Sequence, residues 1–113
     1  MAKRVSTVQE YFDTLGDRFV ADASKGVQAV YQFEISGDGG GTWHVAVDDG
    51  SMQVHQGAHD KPSSTVTSKA ADYIKICNGD MNGLRAVMTR KMRIGGNIVM
   101  ARKMQSMFPT GNI

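Results

Sequence analysis

Few residues in this 113-residue chain have the types and spacing that catalytic chemistry needs. The imidazoles are His44, His55 and His59, the only thiol is Cys77, and Asp48 and Asp49 form an adjacent carboxylate pair. The histidines are spaced by eleven and then four residues. They form no HExxH or His-x-His pattern, and no carboxylates are placed to orient them, so no metal site is expected. Cys77 shares an apolar helical face with Ala70, Tyr73 and Ile74, with no neighbouring base to generate a thiolate, and reads as a small buried hydrophobe. Asp48-Asp49-Gly50 is a hairpin turn, with nothing nearby to raise a carboxylate for general acid work. The run Gly37-Asp38-Gly39-Gly40-Gly41 is followed by neither a helix start nor a Lys-Ser/Thr pair, so it reads as a hairpin loop and not a phosphate cradle. No serine sits in a nucleophile elbow. Catalytic residues, metals and cofactors are all expected to be absent, and nothing argues positively for an enzyme.

The elements that would position any site alternate between two periodicities. Ser6 or Thr7 caps a helix over roughly residues 8 to 19, in which Val8, Tyr11, Phe12, Leu15 and Phe19 recur at helical spacing. From Val27 the period becomes two, with Val27, Ala29, Tyr31, Phe33 and Ile35 on one face, and it resumes in Trp43, Val45 and Val47 and again in Met52 and Val54. An antiparallel three-stranded meander follows. A weaker strand over Ser64 to Thr67 leads to a helix capped by Ser68 and ended by Gly79, then to one capped by Asp80 with Met81, Leu84, Val87 and Met88 as its stripe. A short strand carries Met92 and Ile94 against Lys91 and Arg93. Asn97 caps a last helix with Ile98, Ala101, Met104, Gln105 and Phe108 along one side, stopped by Pro109.

The length fits a single domain, residues 1–113, with enough apolar content for a core. No apolar run approaches the ~18 residues of a membrane span, and MAKRVSTVQEYF lacks the apolar segment of a signal peptide. A lone cysteine excludes an internal disulfide, so a soluble protein in a reducing, cytoplasmic setting is expected. Net charge is +2, but its distribution is uneven. All eleven acids lie within residues 1–80 beside seven bases, whereas residues 81–113 hold six bases and no acid. Overlapping that cationic third, the stretch DMNGLRAVMTRKMRIGGNIVMARKMQSMFP from Asp80 holds six of the eight methionines. Methionine is unbranched and polarizable, so a wall built from it can re-pack around apolar guests of different shape.

The closing stretch AVMTRKMRIGGNIVMARKMQSMFP resembles the signature of the sterol carrier protein 2 lipid-transfer family: a helix end, a basic strand of the G-K-x-x-x-x-G-[ND] kind, then a Met-rich helix. Arg90 stands where that family commonly has Gly. STVTSKAADYIKICNGDMNG and VQEYFDTLGDRF followed by AVYQFEISG extend the resemblance over nearly the whole chain. It implies an α/β fold: a five-stranded, mostly antiparallel sheet with about four to five helices on one face, enclosing an apolar tunnel. The independent count of five strands and about four helices agrees.

The resemblance also implies non-enzymatic binding and transfer or presentation of fatty acids, fatty acyl-CoA, sterols or phospholipids, without a cofactor. On this reading Phe33, Trp43, Val45, Met81, Leu84, Met88, Met92, Ile94, Ile98, Met104 and Phe108 face the lipid. Arg90, Lys91, Arg93, Arg102 and Lys103 meet an anionic head group or make transient contact with an anionic membrane. Two other uses of the basic stretch remain open: a nucleic-acid or anionic-partner module, and an accessory dimerisation domain whose groove takes a partner helix. The first is disfavoured because methionines, not stacking aromatics, separate the bases, so no nucleic acid is expected. Oligomeric state is not legible.

Overall fold

The computed structural model describes residues 5–108, apart from the side chains of Leu84 and Gln105. Pro109, the expected stop of the last helix, lies outside the described residues. The chain forms a mixed five-stranded sheet from β1 (Gln28–Ser36), β2 (Gly41–Asp48), β3 (Ser51–Gln56), β4 (Ser64–Lys69) and β5 (Met92–Gly96), in the order β3-β2-β1-β4-β5. The first three strands make the expected meander, turning at Asp49 and Gly50, both with positive φ as a tight primed turn requires. β4 then crosses to the far side of β1 and pairs with it in parallel, Tyr31 opposite Ser64 and Ser36 opposite Lys69, while β5 pairs antiparallel on β4.

The α/β arrangement is completed by five helices: α1 (Val8–Asp13), α2 (Leu15–Arg18), α3 (Ala70–Cys77), α4 (Gly83–Met88) and α5 (Ile98–Met107), with a 3₁₀ turn at Ala21–Ser24. The single helix expected over residues 8 to 19 is broken at Thr14. That hydroxyl donates to the Glu10 carbonyl at 2.8 Å, a back-bond that competes with continuing the helix. Thr7 caps α1, accepting from the Glu10 N–H at 3.1 Å. Asn97 likewise caps α5, accepting from the Met100 N–H at 3.1 Å.

Two expected caps are placed elsewhere. Asn82, not Asp80, caps α4, accepting from the Arg85 N–H at 3.1 Å. The Ser68 hydroxyl donates to the Lys91 carbonyl at 3.0 Å, joining β4 to the entry of β5, and α3 begins after Lys69 without a side-chain cap.

One face of the sheet is apolar and covered. Tyr31, Phe33, Trp43, Val45 and Val66 are buried on it, and Phe12 of α1 stacks on Trp43 with ring centroids 4.6 Å apart. The other face is polar, with one exception to simple alternation. Gln32 is buried there because the connection from β3 to β4 lies against it, the His59 N–H donating to Gln32 Oε1 at 2.9 Å.

α3 and α4 end in the same backbone motif with different residues. Behind α3, Gly79 takes φ of 79°, and the Asp80 N–H reaches back to the Lys75 carbonyl at 2.8 Å. Behind α4, Arg90 takes φ of 63°, and the Lys91 N–H reaches the Ala86 carbonyl at 2.8 Å. This left-handed conformation costs a residue with a Cβ about 1–2 kcal/mol, partly offset by the freedom glycine adds to the unfolded chain. Arg90→Gly is expected to stabilise the domain by about 1 kcal/mol, raising Tm by roughly 3–5 °C. An unchanged or lower midpoint in thermal unfolding would contradict this account of the turn.

Candidate functional site

The inner face of the sheet is filled in two different ways. Over β1 and β2, rings close the space: Phe12 packs on Phe33 at 5.1 Å as well as on Trp43, and Tyr11 meets Tyr73 edge-on at 5.5 Å. Over β4 and β5 the covering helices bring smaller groups. Gly83 and Ala101 face inward from α4 and α5, and a cavity of about 380 Å³ remains. Its described wall comprises Tyr11 of α1, Val66 of β4, Tyr73, Ile76 and Cys77 of α3, Gly83 and Val87 of α4, Met92 and Ile94 of β5, and Ile98, Ala101, Arg102, Met104 and Phe108 of α5. Such a volume lies within the range of small-molecule sites, about 300–1,000 Å³.

α5 forms the roof and is tied to the sheet along its length. The Tyr31 hydroxyl donates to the Met100 carbonyl at 2.7 Å, and at the helix start the Ser64 hydroxyl donates to the Asn97 carbonyl at 2.6 Å. At its end the Val20 N–H donates to the Met107 carbonyl at 2.8 Å, and Phe108 packs on Phe19 at 5.3 Å. The first turn is less covered: Ile98 is 49% exposed although it lines the cavity, and Val99 is 63% exposed. Among the described lining residues Tyr11, Val66, Tyr73 and Cys77 are buried, whereas Ile98 and Arg102, on one side of α5, are the exposed ones.

The expected lipid-facing residues are distributed unevenly. Met92, Ile94, Ile98, Met104 and Phe108 come together in the cavity wall. Phe33, Trp43 and Val45 are packed in the aromatic core beside it, because α1 covers β1 and β2 closely. Met81 is partly buried against the core, before α4 begins. Met88 is 76% exposed and points away from the cavity, because its neighbour Val87 takes the inward position on α4. The Leu84 side chain lies outside the described residues.

Of the expected head-group bases, Arg102 alone is among the described lining residues. Arg93 alternates with Met92 and Ile94 and so lies on the opposite face of the sheet. Arg90, Lys91 and Lys103 are exposed.

The histidines do meet, on the polar face away from the cavity. His44 and His55 are cross-strand partners stacked at 5.0 Å, and His59 packs edge-on to His44 at 5.3 Å. Their ring nitrogens are engaged locally, His44 Nδ1 donating to the Gly57 carbonyl at 2.9 Å and His59 Nδ1 accepting from the Lys61 N–H at 3.0 Å. Among the described residues no group of three or more His, Cys, Asp or Glu is arranged to hold a metal.

Tyr11, Tyr73 and Cys77 were expected in the core, yet they also border the cavity. Tyr73 and Cys77 are one helical turn apart on α3, and Tyr11 reaches them from α1; no sequence pattern links a residue of the first helix to these two. Burial pushes the Cys77 thiol up to about 12. It raises both phenols too, the Cys77 group adding to the effect at Tyr11 and the Tyr11 group at Tyr73. All three are therefore neutral over the physiological range. At pH 8 about one thiol in 10⁴ would be ionised, so alkylation of Cys77 by iodoacetamide should run roughly a thousandfold slower than that of a free cysteine. A rate within tenfold of free cysteine, followed by mass spectrometry, would show that this wall is open to water.

Residues 12–109 match the SCP-2 sterol transfer family. The bovine (Bos taurus) hydroxysteroid dehydrogenase-like protein 2 is 32% identical over 105 residues, covering 92% of this chain and 25% of that protein. The chain thus spans about a quarter of the length of that relative. Among solved structures, the sterol carrier protein domain 2 of Helicoverpa armigera superimposes with a TM-score of 0.73 at 24% identity, covering 88% of this chain and 83% of that one. Palmitated SCP2L2 from Aedes aegypti does so with 0.72 at 20% identity, covering 94% of each. The two structures share the mixed sheet and its helical cover. With its family signature running through nearly every element described above, the chain belongs to the SCP-2 sterol transfer family, whose members bind and transfer lipids.

Proposed function

We propose that this domain carries a single acyl chain in the cavity beneath α5, as a fatty acid or a fatty acyl conjugate, and transfers or presents it without catalysing a reaction. The observation that carries this reading is the apolar cavity of about 380 Å³ with one cation, the exposed Arg102, among its described lining residues. An engineered cavity of about 150 Å³ takes one benzene, so by proportion this volume suits about fifteen carbons. That matches a fatty chain better than the larger fused-ring body of a sterol, and the palmitate in the Aedes relative supports the same choice. Burying ~10 methylenes at about 0.8 kcal/mol each contributes roughly 8 kcal/mol before ordering costs, which sets micromolar binding as the ceiling.

The methionines suit this task because Met92 and Met104 can re-pack as chain length varies. Loading and release would occur at the uncovered first turn of α5. Ile98 and Val99 offer apolar surface there, and Arg102 and Lys103 follow on the same helix. A base held near an anionic bilayer contributes about 1 kcal/mol, enough for a reversible contact.

Calorimetry on delipidated protein with dodecanoic acid and dodecanol checks both parts. The acid should bind, and Arg102→Gln should lower the acid-to-alcohol affinity ratio by about fivefold at low salt, the scale of a solvent-exposed charge contact. Failure of both ligands to bind at high micromolar concentration would end the carrier reading. An unchanged ratio would remove Arg102 from head-group recognition.

A further inference from the structure

Among the described residues the cavity wall is apolar apart from two places, and the buried one has no part in holding a plain acyl chain. Tyr11 and Tyr73 meet edge-on at 5.5 Å, and both border the cavity together with Cys77. All three are buried. Phenylalanine at these two positions would keep the edge-on ring contact but lose the side-chain hydrogen bonds that link Tyr73 to Tyr11 and to Cys77, so this part of the wall is a linked polar group and not rings alone. A neutral phenol both donates and accepts a hydrogen bond, and a thiol does so weakly. The other polar place is the exposed guanidinium of Arg102.

We propose that the phenol pair of Tyr11 and Tyr73, with the Cys77 thiol beside it, is a recognition site for a neutral oxygen at the far end of the ligand, so that the cavity takes ω-hydroxy or ω-oxo acyl chains. This rests on the acyl-carrier reading above. The buried site suits a neutral group and not a second carboxylate, since the desolvation that keeps both phenols and the thiol protonated also penalises an anion. The exposed place suits the carboxylate, because Arg102 is charged and wet. The ligand's orientation follows, with its acid at α5 and its hydroxyl or carbonyl against α1 and α3.

The test compares plain and ω-hydroxylated fatty acids at two lengths: dodecanoic with 12-hydroxydodecanoic acid, and hexadecanoic with 16-hydroxyhexadecanoic acid. A hydroxyl carried into an apolar wall without a partner weakens binding by roughly tenfold or more. On the intact protein, the hydroxy acid is expected to bind at least as tightly as the plain acid at one of the two lengths. In the double variant Tyr11→Phe, Tyr73→Phe, the hydroxy-to-plain affinity ratio at that length should fall about tenfold. Plain acids that bind while both hydroxy acids bind more weakly would overturn the oxygen site and leave the carrier function standing. A ratio unchanged in a folded double variant would overturn it too. Should none of the four acids bind, both the site and the carrier reading fall together.

Discussion

The parallel pairing of β4 with β1 is the constraint on which the rest of the molecule depends. Six residue pairs, from Tyr31 with Ser64 to Ser36 with Lys69, place the fourth strand on the open side of the first. A fourth strand added to β3 would have continued the meander and left β1 as an edge. Crossing instead buries β1 at the centre, and β5 and the helices around it are built out from its far side. The connection that makes the crossing is held by the polar face, through Gln32 to His59 and through the Val30 carbonyl, which accepts from the Ser63 N–H at 2.7 Å. Its end continues directly to the roof of the cavity, because the Ser63 carbonyl accepts from the Asn97 N–H at 2.8 Å where α5 begins.

From that topology comes the division of the interior. β1 and β2 present large side chains to α1, and stiff rings pack there to a solid core. β4 contributes Val66 between the small residues Ser64 and Ser68, β5 contributes Met92 and Ile94, and the helices above them place Gly83 and Ala101 inward. A wall of small residues and unbranched methionines does not close on itself as rings do, so empty volume persists on that side. The same solid core supplies the polar part of the cavity's buried lining, because Tyr11 and Tyr73 belong to both zones.

Residue pattern made most of this fold legible. Alternation in β1 and β2 correctly placed every inward residue from Val27 to Val47, and Asn97 was recognisable as a cap from its place before an apolar helical repeat. What misled was local chemistry with more than one use. Ser68 looks like a cap but bonds a distant strand, Asp80 looks like a cap but belongs to the turn ending α3, and Thr14 interrupts a helix whose apolar spacing runs straight through it. Arg90 carried a hint that composition alone could not supply, since the family resemblance expects glycine there and the arginine takes a left-handed backbone.

The candidate site divides along the same line. Order and spacing in residues 80–108 placed Met92 and Met104 inward and made the C-terminal third basic, but put Met88 on the inner side when it faces out. They also determined membership of a lipid-binding family. Which of the inward residues touch a cavity was decided only in three dimensions. Phe33, Trp43 and Val45 show the same inward alternation as Met92 and Ile94, yet they are sealed by α1 while the latter two line the cavity. Arg102 was separated from Arg93 and Lys91 by the face its element presents, and Tyr11 was joined to Tyr73 and Cys77 across sixty residues of chain. Periodicity reports which way a side chain points relative to its own backbone. It carries no information about the size of what packs opposite, and that difference in volume makes one half of this sheet a core and the other a container.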